Sequence, residues 1–332
     1  MHRLEAEDFL NRTVEFLPSD KELADFKGQR LGLTRPSLAV LLAYAKLAFT
    51  RDAKLGDALD AAYYEADLLA YFPAAVQRKF APYILKHRLR RDIVATVLAN
   101  QLINRLGFAL PGQLQEEAAS SAADIVASYC FTRDIFGIDV LWTGVEALDG
   151  KVPFGLQLDL FRAMQRFFET NMRWALEHLP RPLTIAHLAK SYREPIADLA
   201  KHWRRIADPS LTAQIDTRAA GWESQGVPAN LAQSIAALEM LSAGLAIATA
   251  ASRRKLPIGK VAAIYFSTGH ALDFDRLRAR LALLPAESGW QRQALASAAT
   301  QIAQVQQDIV MSMLESYGAS DDAPAQWLRD ND

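Results

Sequence analysis

Six histidines and one cysteine are the side chains best suited to catalysis or metal binding, and their spacing leaves them without partners. Two histidines three or four residues apart on a helix would present both imidazoles to one zinc ion. His2, His87, His178, His187, His202 and His270 contain no such pair. They read as surface or hydrogen-bonded histidines. Cys130 lies in "ASYCFTRD", an apolar helical pattern with no adjacent histidine or lysine to act as base. It reads as a buried, inert thiol. Neither G-x-G-x-x-G nor G-x-x-x-x-G-K-[ST] occurs, so the usual backbone cradles for dinucleotide or nucleotide phosphates are missing. Lysines and carboxylates are plentiful, but their spacing assembles no pocket. No catalytic, cofactor-binding or metal-ligating residue is assigned.

Basic runs are the next candidates. "KHRLRR" (86–91), "KHWRR" (201–205) and "RRK" (253–255) could hold phosphate, but they read better as solvated helix faces or ion-pair partners. "TIAHLAKSYREPIADLAKHW" has a faint helix-turn-helix look without the turn glycine. The chain carries 37 Lys+Arg against 38 Asp+Glu, a formal net charge of −1. Dedicated nucleic-acid or anionic-membrane binders carry a basic excess, so neither partner is expected.

One polar pattern is harder to set aside. Arg88, Asp92, Thr96, Asn100 and Asn104 recur every four residues, while Ile93, Val94, Val97, Leu98, Leu102 and Ile103 make the rest of that segment apolar. An unpaired buried amide costs a few kcal/mol, so such a stripe must meet water, a neighbouring helix or a partner. Thr96, Asn100 and Asn104 are the candidates for a contact with another domain or subunit. The alternative is a stripe that cross-links neighbouring helices or faces solvent.

The elements that would position these residues read almost everywhere at helical period. "GLTRPSLAVLLAYAKLAF" (32–49) opens on Thr34 and Pro36, and beyond Pro36 only Lys46 is charged. It is expected to be a core helix, coated on nearly every side. Residues 81–106 form one long pattern closed by Gly107, and residues 153–178 form another. Ser19 with Glu22, and Ser288 with Gln291, have capping-box spacing. Asp273 can cap the helix that follows it. Strand signals are almost absent, and no short-period repeat suggests a solenoid. The prolines of "HLPRPLT" (178–184) mark the clearest boundary. The expectation is an all-α fold without a significant sheet: one helical lobe over 1–178, a second over 183–318, and a mobile acidic tail over 319–332.

A chain of this length buries roughly three quarters of its unfolded surface and needs no staples. One cysteine excludes an internal disulfide and fits a reducing compartment. Acids occupy the place of a signal-peptide core in "MHRLEAEDFLNRTVEF", and no apolar run reaches the roughly 20 residues that span a bilayer. A cytoplasmic protein is expected.

Several stretches together carry a family resemblance: "LNRTVEFLPSD" (10–20), the 32–49 stretch, "YFP" (71–73), "HRLRRDIVATVLANQLINRLG" (87–107), "LWTGVEALDGKVP" (141–153), "RW" (173–174) and "VAAIYFSTGHALDFDRLR" (261–278). Their order and spacing resemble the C-terminal helical region of the large bacterial NAD-specific glutamate dehydrogenases, over about residues 5–315. Ser37 departs from the Glu that the family tends to carry after "TRP", which removes a capping-box carboxylate. The resemblance implies a parent enzyme that oxidises L-glutamate with NAD. Its catalytic residues and NAD-binding module lie upstream, so none is carried over onto this chain. It further implies a non-catalytic module that supports the upstream catalytic domain and takes part in a homo-oligomer or in regulation. The alternative is a free-standing helical interaction or ligand-sensing protein that shares only ancestry with the enzyme.

Overall fold

A computed structural model describes residues 1–55, 58–285, 289–320 and 322–331, and every regular element among them is a helix. The chain forms two compact units, 1–131 with 172–186, and 132–171 with 187–332. The Ser288 capping box lies outside the described residues.

The first unit opens with α1 (His2–Ala6), α2 (Asp20–Gly28) and α3 (Arg35–Ala53). It continues through α4 (Glu65–Ala70), α5 (Ala74–Ile84), α6 (Arg90–Leu106), α7 (Ala109–Glu117) and part of α8 (Ala122–Ile135). Local chemistry sets several ends. At α2 the Ser19 hydroxyl accepts the Glu22 N–H and the Glu22 carboxylate accepts the Ser19 N–H at 2.8 Å, a complete capping box. Thr34 caps α3 by accepting the Ser37 N–H at 3.3 Å, and the two hydroxyls lie 2.8 Å apart. The Ser37 hydroxyl thus gives the cap a second polar partner. Gly107 closes α6 at φ 88°, a backbone conformation that L side chains rarely adopt.

Helix α6 is the centre of this unit. Ala95, Leu98, Ala99 and Leu102 are fully buried, and α3, α4 and α7 pack around them. The 81–106 pattern is not one helix. It breaks between Ile84 and Arg90, where His87 N–H bonds the Ile84 carbonyl and the His87 ring accepts the Leu89 N–H at 3.1 Å. A side chain that satisfies nearby backbone offers it an alternative to the helix. Arg88 therefore lies outside α6 and leaves the polar stripe.

The expectation that α3 is coated on nearly every side is corrected. Leu41, Ala48, Phe49 and Ala53 are buried, but Leu47 is 57% exposed, Leu38 is 41% exposed and Leu42 is only partly covered. Helix α3 packs mainly on α6 and lightly on α1, so its covered surface lies toward those neighbours. Periodicity could not reveal this, because the sequence is apolar on both sides.

The last segment of the first unit, 172–186, runs from the end of α10 (Phe154–His178) into the start of α11 (Ile185–Ile206). Between these helices the Arg181 guanidinium donates to the Ala118 carbonyl at 2.8 Å and to the Ser120 hydroxyl at 3.0 Å. The buried Leu183 N–H donates to the Asp124 carboxylate at 2.9 Å.

The second unit takes the rest of α8, α10 and α11, together with α9 (Ile138–Glu146). It adds α12 (Pro209–Glu223), α13 (Ala229–Ala236), α14 (Leu238–Leu241), α15 (Gly244–Arg254), α16 (Ile258–Ala271), α17 (Phe274–Ala282), α18 (Gly289–Tyr317) and α19 (Ala323–Asn331). Phe136 meets Phe167 edge-on at 4.7 Å, and Trp142 tilts against Phe161 at 5.0 Å. Asp273 precedes α17 in a left-handed conformation, φ 56°, and makes no side-chain cap; its carboxylate lies 3.9 Å from Arg276 instead. Residues 323–331 form α19 against α16 and α18. Ala323 and Pro324 are buried and Trp327 and Leu328 are partly so, a helical spacing that the flanking acids obscured.

Two stability measurements test this packing. Leu98→Asp should prevent folding, whereas Leu47→Asp should shift stability by no more than about 0.5 kcal/mol. Equal losses would show that α3 is covered on both sides. Asp124→Ala strands the Leu183 N–H and should cost about 2 kcal/mol in a denaturant titration.

Candidate functional site

The polar stripe runs along the outer side of α6, opposite its buried face. Asp92 pairs with Lys54, which follows α3, at 2.9 Å. The ammonium beside it holds the Asp92 carboxyl below the usual carboxylate range. The Thr96 hydroxyl donates back to the Asp92 carbonyl at 2.7 Å. Thr96 and Asn104 are exposed and Asn100 is half-buried. The two asparagine amides find no protein partner among the described residues. The structure thus brings Asp92, Thr96, Asn100 and Asn104 onto one accessible face and leaves Arg88 out. Such a face can donate and accept hydrogen bonds. Its one carboxylate, Asp92, is engaged by Lys54.

Cys130 is fully buried on α8. Among the described residues no group of three or more His, Cys, Asp or Glu could hold a metal ion. A cleft of about 190 Å3 in the first unit is lined by Leu4, Ala45, Ala48, Phe49 and Ile103, with Arg3 and Asp52 at its edge. It is smaller than the roughly 300 Å3 at which small-molecule pockets begin.

A cluster of polar side chains lies in the second unit, where α16, α17 and α18 meet. The Gln306 amide donates to the Tyr265 carbonyl at 2.7 Å and accepts a hydrogen bond from Arg278. Arg278 also donates to Asp275 at 3.0 Å. Burial pushes the Asp275 carboxyl and the Tyr265 phenol up, and Arg278 opposes both shifts. Gly269 gives the cluster room: a Cβ there would lie 2.9 Å from the Gln306 amide nitrogen. Each side chain is bonded to another member, so the cluster fastens three helices rather than awaiting a ligand. Sequence reading missed it, because Gln306 lies 28 residues beyond Arg278. The available signal was a glutamine within the apolar pattern of α18.

Comparison with known proteins adds what this geometry lacks. Residues 30–332 match the family model described as glutamate dehydrogenase, C-terminal. The chain belongs to the glutamate dehydrogenase C-terminal family. Among its relatives, the NAD-specific glutamate dehydrogenase of Pseudomonas aeruginosa is 31% identical over 331 residues, 99% of this chain and 20% of that protein. The enzyme of the same name from Halomonas elongata is 30% identical over 294 residues, 88% of this chain and 18% of that protein. That of Mycobacterium tuberculosis is 30% identical over 290 residues, 86% of this chain and 18% of that protein. The chain therefore spans about a fifth of the length of the relatives it matches. For this member of the family, among the described residues no single helix is long and apolar enough to cross a membrane.

Substitution separates the buried cluster from the exposed stripe. Gln306→Ala should destabilise the chain by about 2 kcal/mol, because it strands a buried carbonyl and a guanidinium. Asn104→Ala should change stability by less than about 0.5 kcal/mol. Equal losses in a thermal melt would mean that Asn104 is also part of the internal packing.

Proposed function

We infer that this chain is the C-terminal helical module of a NAD-specific glutamate dehydrogenase, and that it supports the catalytic domain without itself carrying chemistry. The whole enzyme converts L-glutamate, NAD+ and water into 2-oxoglutarate, ammonium and NADH. One observation carries the reading: a family match over residues 30–332 in a chain that corresponds to about a fifth of each relative. The partner is the upstream catalytic domain of the same polypeptide, the assembly is a homo-oligomer, and the compartment is the cytoplasm. A role in regulation belongs to the same reading.

The described residues do not fit NAD by the usual route. A dinucleotide pyrophosphate is held where a strand turns through glycines into a helix, and every regular element described here is a helix. Hydride transfer also needs nicotinamide and substrate held in near-attack geometry, with a base close to the amine. No cluster described above offers that base. Both points support placing the cofactor and the chemistry elsewhere in the enzyme.

The isolated chain should show no NADH formation with glutamate and no calorimetric NAD binding in the micromolar range. Turnover, or one tight NAD site per chain, would overturn the non-catalytic assignment. Adding the upstream piece in trans should restore activity. In the full-length enzyme, Asn100→Ala with Asn104→Ala should alter assembly or activity while the isolated chain loses less than about 0.5 kcal/mol of stability. Loss of stability alone would make the stripe structural.

A further inference from the structure

Helix α5 is sparsely covered within the first unit. It packs on α4, and Ile84 is its only buried residue. Its exposed residues are Ala74, Ala75, Arg78, Lys79, Phe80, Pro82 and Tyr83; of these Ala75, Arg78, Lys79, Pro82 and Tyr83 share one line, which exposed Lys86 continues beyond the helix end. The 3–4–7–8–11 spacing places them on one side. No acid occurs between Tyr71 and Arg91. Arg90 and Arg91 pair with Asp60, but Arg78, Lys79, Lys86 and Arg88 have no ion pair among the described residues. Aromatic rings lie among these charges. Tyr83 is 76% exposed and stands edge-on to Phe80 at 6.4 Å, and the Lys79 ammonium lies 5.3 Å from the Phe80 ring centre.

Unpaired cations interleaved with exposed aromatics are the composition of an interface centre, where tyrosine and arginine contribute most of the binding energy. The net charge of the chain is −1, so the run of cations without an acid between Tyr71 and Arg91 makes a local excess of positive charge. A nucleic-acid surface would carry a domain-wide basic excess. A membrane-surface helix would show a broad, continuous apolar side, whereas here the exposed Ala75, Phe80, Pro82 and Tyr83 are interrupted by Arg78, Lys79 and Lys86. We propose that the α5 face, centred on Tyr83 and ringed by Arg78, Lys79 and Lys86, docks an acidic surface of the remainder of the dehydrogenase polypeptide. This rests on the reading of the chain as a module of that enzyme. It is a second contact, distinct from the neutral amide stripe of α6, and its charge complementarity sets the orientation of docking.

The test is site-specific photo-crosslinking in the full-length enzyme, with p-benzoylphenylalanine replacing Tyr83, Leu47, Asn104 or Val140 in turn. Tyr83 should crosslink to an Asp/Glu-rich segment outside these 332 residues of the same polypeptide. Combining it with Arg78→Glu, Lys79→Glu and Lys86→Glu should lower the yield about tenfold, the product of three exposed ion pairs worth roughly a factor of two each. High salt should act in the same direction. Crosslinks at Leu47 or Asn104 to the rest of the enzyme, with none at Tyr83, would overturn the docking face and leave the module reading intact. Tyr83 crosslinks to nucleic acid, to lipid or to a second copy of the α5 face would overturn it too. If none of the four positions reached beyond these residues, the module reading would fall and this proposal with it. All four positions are exposed or face solvent in part, and circular dichroism of each variant confirms folding.

Discussion

The inward face of α6 is the surface on which the first unit is built. Leu98, Ala99 and Leu102 are wholly removed from water, and α3, α4 and α7 gain their buried area by lying against them. The two alanines, at 95 and 99, let neighbouring backbones approach closely, and the leucines fill the gaps between. A helix covered on one side by three others must present its remaining side elsewhere. That side carries Asp92, Thr96, Asn100 and Asn104. The polar stripe and the apolar seam are two faces of one helix, and each is placed by the other.

Polar groups act as fasteners between helices: buried Gln306 joins α16 to α17 and α18 through the Tyr265 carbonyl and Arg278. Where they bridge loops they replace missing backbone partners, as Asp124 does for Leu183. Others lie on accessible surfaces of the first unit: the amides of α6 and the cations of α5. Unsatisfied groups cost little in water and gain much from a partner, which is the physical sense of an interaction face.

Exposed apolar area points the same way. Leu38 and Leu47 lie open on α3, a helix whose sequence reads as fully buried. The residues were chosen for contact on both sides, and the chain itself supplies contact on one. The relatives that the chain matches are about five times its length.

Period, caps and composition lie within a few residues of one another, so the sequence by itself determined the helical class, the Ser19 and Thr34 caps, the stop at Gly107 and the family. Side choice does not lie in that range. Whether α3 was coated or half-open depended on helices tens of residues away, and its two-sided apolar pattern was compatible with both. The break at His87 depended on one ring nitrogen meeting one N–H within an otherwise helical pattern. The acidic end became α19 because Ala323 and Pro324 found cover on helices they could not name in advance. Assignment of 132–171 to one unit and 172–186 to the other cuts through a continuous helix, α10. Local hydrogen bonding makes a helix, but burial is a property of what surrounds it, and only the tertiary structure decides that.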